Sequence, residues 1–68
     1  MYEEVIEAKA RFLRQFGLND TDKVIEYLNE HIANVDERNI NVRLNNLAKT
    51  MLNNYYNGDR TFVKQKGE

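Results

Sequence analysis

Residues 40–55 read INVRLNNLAKTMLNNY, and the period assigned to them decides the fold. Two templates compete. Ile40, Val42 and Leu44 alternate with Asn41, Arg43 and Asn45, the two-residue period of a half-buried strand. Ile40, Leu44, Leu47, Ala48, Met51, Leu52 and Tyr55 recur instead at threes and fours, the period of one helix face. The helical pattern runs unbroken through the stretch, whereas the alternation stops at Leu44. The spacing therefore predicts a helix over about 37–57. Asp36 is its expected N-cap, Val35 and Ile40 have the spacing of a hydrophobic staple, and Gly58 suits the left-handed position just past its end. The alternative is an α+β chain with a two-stranded ribbon at 39–45 and 60–64 around a shorter helix. Thr61-Phe62-Val63 is strand-like, and Asn57-Gly58 is a good hairpin dipeptide.

Two more helices precede this stretch. In about 2–16, Tyr2, Val5, Ile6, Phe12, Leu13 and Phe16 form one apolar stripe, with acids leading and bases trailing as the helix dipole favours. Gly17 and Leu18 then have the pattern of a Schellman ending, with Leu18 reaching back to Leu13. A second helix over about 20–33 is capped by Asn19 or Asp20. It is expected to bury Val24, Ile25, Leu28, His31, Ile32 and Val35, with Tyr27 at the edge. Short loops make neighbouring helices pack closely. The expectation is an all-α, compact three-helix bundle with a short C-terminal tail, one small domain over 1–68.

At 68 residues the chain is short enough to need a staple, and it lacks the common ones. Cysteine is absent and His31 is the lone histidine, so neither a disulfide nor a histidine–thiolate zinc cage can be built within one chain. Self-association or a partner protein is the remaining staple, and the expectation is a homo-oligomer or a protein complex. No apolar run nears the ~20 residues that span a bilayer, and Met1-Tyr2-Glu3-Glu4 lacks the basic start of a signal peptide. A cytoplasmic protein with no membrane partner is expected. Asparagine is abundant, which fits the codons of an AT-rich genome, as in a low-GC bacterium or its phage or plasmid. The net charge of −1 conceals an asymmetry. Residues 1–37 carry nine acids against four bases, and residues 38–68 carry six bases against two acids. Such halves are complementary within one chain or between chains.

The sequence offers little to catalysis. There is no Cys or Ser, and three threonines stand without a base at a defined spacing. His31 has Leu28 where a Glu-x-x-His metal pair needs a carboxylate. Asn19-Asp20-Thr21-Asp22 starts like a calcium loop, but Val24 and Ile25 occupy a ligand and the turn-glycine positions. Three isolated glycines make no phosphate-cradling loop. No enzyme activity, metal, cofactor or small-molecule substrate is expected.

Binding surfaces are easier to name. Val42 and Tyr56 fall opposite the core stripe of the third helix. With Phe62 and Val63 of the tail they are the candidate interface of a small adaptor or regulatory protein. The alternative is a DNA-binding regulator. Arg38, Asn45, Lys49 and Asn53 share that outer stripe, and Arg60, Lys64 and Lys66 extend it, offering cations to phosphate and amides to base edges. A helix-turn-helix centred on Gly17 is excluded. It would put Lys23 and Glu26 at anchoring positions and would turn Asp20, Asp22 and Glu26 toward phosphates.

Overall fold

The computed structural model describes residues 2–64. It contains α1 (Glu3–Arg14), α2 (Thr21–Ile32), a 3-10 turn (Glu37–Asn39) and α3 (Ile40–Tyr56). All three α-helices pack on one another, as a three-helix bundle requires. The ribbon alternative is incorrect, since no strand occurs among the described residues. Val42 shows why. A strand would put Ile40, Val42 and Leu44 on one face, yet Ile40 is 7% exposed, Leu44 0% and Val42 62%. The second proposed strand is a tight turn, in which the amide of Val63 donates to the carbonyl of Arg60 at 3.2 Å.

The joints are built by local chemistry. After α1, the Leu18 amide donates to the Leu13 carbonyl (3.2 Å) and the Gly17 amide to that of Arg14 (3.1 Å), the two bonds of a Schellman motif. Gly17 supplies the required left-handed backbone at φ 114°. The end of α3 repeats the motif: Asp59 donates to Asn54 (2.9 Å), Gly58 to Tyr55 (3.0 Å), and Gly58 has φ 106°. Asp20 caps α2 by accepting from the Lys23 amide at 3.4 Å. Asp36 is not the cap of α3. Its carboxylate accepts from the Arg38 amide (3.0 Å) and starts the 3-10 turn, and Asn39 takes the cap position of α3.

The core is Ile6, Ala10 and Leu13 of α1, Leu18, Val24, Leu28 and Ile32 around α2, and Ile40, Leu44, Leu47, Ala48 and Met51 of α3. The apolar stripe read for the first helix is only partly buried, and the expected burial of His31 fails. Phe12 and Phe16 are 43% and 44% exposed rather than buried. Ile6, Ala10 and Leu13 define the inward line of α1, and both phenylalanines lie to one side of it. His31 is exposed, with its ring 4.0 Å from that of Tyr27 and its Nδ1 2.9 Å from the Tyr27 carbonyl. The tail folds back over the opposite side of the bundle. The Phe62 ring meets Tyr27 edge-on at 5.2 Å, and the Asp20 amide donates to the Phe62 carbonyl at 2.9 Å.

Candidate interaction surface

Three contacts set the register of α1 against α3. Lys9 Nζ donates to Asn45 Oδ1 at 2.8 Å, Phe12 lines a groove with Ala48 and Leu52, and Gly17 lies against the Tyr55 ring. Sequence number rises along both helices together, so α1 and α3 run parallel, with their C-terminal halves side by side. Between them lies an open groove of about 330 Å³. Its existence follows from Ala48: a methyl group between the larger side chains of Phe12 and Leu52 leaves the space unfilled.

The groove has an apolar floor and wall and a cationic rim. The Phe12 and Phe16 rings meet at a tilt of 55° with centroids 4.9 Å apart, which extends the apolar wall past the groove. Lys9 of α1 and Lys49 of α3 both line it, and the Lys9 ammonium reaches Asn45, one turn before Lys49 on α3. The Lys9 ammonium sits 5.1 Å from the centroid of Phe12. Among the described residues neither lysine is within ion-pair distance of a carboxylate. The sequence explains this, since no acid stands three or four residues from Lys9 or Lys49, and α3 contains none at all.

The residues named from sequence do not form a single surface. Val42 and Tyr56 are exposed on α3 as expected, at 62% and 65%. Tyr56 lies one turn beyond Leu52, at the end of the α1/α3 groove. Phe62 and Val63 are half-buried; Phe62 docks on the chain's own Tyr27, away from Val42 and Tyr56.

The basic set is similarly dispersed. Asn45, Lys49 and Asn53 are exposed along α3, and Arg38 is exposed in the 3-10 turn before it. Arg38 pairs with Asp36 at 3.2 Å, and Asn45 is held by Lys9. Hydrogen bonding from the Arg38 amide, then from its guanidinium, holds the Asp36 carboxyl below the usual carboxylate range. Arg60 folds back over the Tyr55 ring (4.8 Å) and donates to the Tyr55 carbonyl at 3.1 Å, satisfying an open end of α3. The Lys64 amide donates to Asn19 Oδ1 at 2.8 Å. Lys66 lies outside the described residues. The acidic and basic halves of the chain are not joined across the bundle by an ion pair among the described residues.

Sequence reasoning missed Phe12, Phe16 and Lys9 as surface residues. One signal was present: Lys9 interrupts the apolar stripe of α1, and a lysine one turn from Phe12 marks the edge where that stripe meets solvent. Among the described residues no three His, Asp or Glu side chains cluster to hold a metal ion, and no helix is long and apolar enough to cross a membrane. Comparison with protein-family models, curated proteins and solved structures yields no match to this chain.

Proposed function

We propose that this chain is a non-enzymatic protein-interaction module of adaptor or regulatory type, acting in the cytoplasm and making contact through the α1/α3 face. The observation that carries the reading is the Phe12–Phe16 pair, two adjacent rings each more than two-fifths exposed beside an unfilled apolar groove. Apolar surface is costly to leave in water, and a contiguous exposed patch with a polar rim marks a contact site. The small core argues in the same direction, because a partner that covers the patch also stabilises the fold.

Self-association, expected from the length of the chain, is one form of this reading and the first to be measured. A dilution series followed by amide NMR shifts and sedimentation tests it. Concentration-dependent shifts centred on Phe12, Phe16, Leu52 and Tyr56 support contact between copies. A strict monomer over a roughly hundredfold range, with a concentration-independent melt, removes the homo-oligomer. The nucleic-acid alternative retains Lys49 and Asn53, but gains no support from Arg38, Asn45 and Arg60, which are engaged within the chain.

A further inference from the structure

We propose that the α1/α3 groove receives an acidic amphipathic helix of another protein. The inference rests on the association reading and names its occupant. The argument has three parts: the charge of the rim, the shape of the cleft, and the exclusion of a second copy.

The rim holds two cations, and no acid is among the residues that line the groove. Lys9 and Lys49 both line the groove, with no carboxylate in ion-pair range of either among the described residues. A segment seated in the groove meets both positive charges, so carboxylates beside its apolar anchors are favoured. Lys9 is already positioned by Asn45 and by the Phe12 ring, which lowers the entropy lost when it engages a carboxylate.

The cleft runs between two parallel helices and is floored by Ala48 and Leu52. Such a cleft is filled by the apolar side of a helix, through anchors about one turn apart. Strand addition has no template here, because no strand edge exists among the described residues.

A second copy fits poorly. A two-fold contact places the same patch against itself, which would set the lysines of one rim against those of the other. The chain's own acidic helix does not serve either. Asp22, Glu26 and Glu30 lie on α2, whose apolar residues Val24, Leu28 and Ile32 are buried in the core and cannot also act as anchors. On α1 the acids Glu3, Glu4 and Glu7 precede the exposed Phe12 and Phe16, which stand among the bases Lys9, Arg11 and Arg14. The occupant therefore carries on one exposed helix a pairing of acids with apolar anchors that neither acidic helix of this chain presents.

The test is selection from a displayed library of randomised helical peptides of about four turns, with the full chain as bait. Enrichment of large apolar anchors one turn apart, flanked by Asp and Glu, is expected. Lys49→Glu, alone or with Lys9→Glu, should weaken the selected peptides about tenfold or more, and their Lys-for-Glu counterparts should regain binding to the double variant. Circular dichroism checks that these surface variants fold.

Several outcomes overturn the inference. Peptides without acidic excess, or insensitive to Lys49→Glu, do so; if Phe12→Ser still abolishes their binding, the association reading survives. Sedimentation showing a dimer broken by Phe12→Ser and unaffected by Lys49→Glu makes a second copy the occupant. Duplex DNA bound through the same lysines and insensitive to Phe12→Ser makes the groove irrelevant. A monomer that selects no peptide, or only peptides insensitive to Phe12→Ser, overturns both the inference and the reading beneath it.

Discussion

The amide of Asp20 donates to the carbonyl of Phe62 at 2.9 Å, so the N-cap residue of α2 is tied to a residue 42 positions later in the chain. Beside this bond, the Lys64 amide donates to Asn19 Oδ1, and the Phe62 ring lies against Tyr27. A segment that reads as a polar tail thus acts as a strap closing the α1–α2 joint. Phe62→Ala should lower stability by about 1–2 kcal/mol, roughly half the transfer value of a fully buried side chain. For a domain of this size that is a melting temperature lower by roughly 5–15 °C. Thermal circular dichroism reads the change, and an unchanged melt would show that the strap contributes nothing.

Gly17 and Gly58 allow backbone geometry and packing to be separated. Both have positive φ, so alanine is strained at either, by about 1 kcal/mol. At Gly58 nothing among the described residues lies within 4 Å of an added Cβ, whereas at Gly17 a Cβ would come within 2.8 Å of Tyr55 Cζ. Gly17→Ala should therefore cost about 1–3 kcal/mol more than Gly58→Ala, in the range of overpacking penalties. Urea unfolding of the two variants measures the difference, and equal losses would mean that Tyr55 moves aside freely.

Asp59 supplies a pH dependence. Hydrogen bonds from the Thr61 hydroxyl and then the Thr61 amide hold its carboxyl below the ordinary range, with a smaller contribution from Arg60. A group with a depressed folded pKa stabilises above its unfolded pKa, and that stability is lost as pH falls through the folded pKa. Asp59→Ala should be less stable than the parent at neutral pH, and the gap should close as pH falls below the ordinary carboxylate range near 4. Urea midpoints across that window check the sign. A gap that is constant with pH would assign the effect to the turn backbone instead of the charge.

Much of the fold was legible because it depends on local chemistry. Gly17, Gly58 and Asp20 end and start helices through bonds that span a few residues. The helix over 40–56 was legible because seven apolar positions agree on one period, and within that stretch Val42 was the one apolar residue that fitted only the strand. What was not legible depends on other elements. Six apolar residues in α1 cover a wider arc than its neighbours can bury. Ala10, fully buried and small, lets a neighbouring helix approach closely and so chooses Ile6 and Leu13 as the inward line. The contact of Phe62 with Asp20 and Tyr27 is likewise set by a turn far along the chain. The groove follows from the same selection, since it is lined by the phenylalanine that the core leaves out.

That selection gives the sharpest test of the structure. Leu13→Ala removes a side chain that is 0% exposed and should cost about 2–5 kcal/mol, through lost burial and the cavity left behind. Phe16→Ser, at a position 44% exposed in the turn that follows α1, should cost much less, about 1 kcal/mol, because much of the ring already faces water. If Phe16 were in the core, as its place on the apolar stripe suggests, both substitutions would be severe. The two variants compared by urea denaturation therefore decide which line of α1 faces inward. A loss at Phe16 as large as that at Leu13 would rotate the helix, bury the proposed contact surface and remove the basis for any partner there.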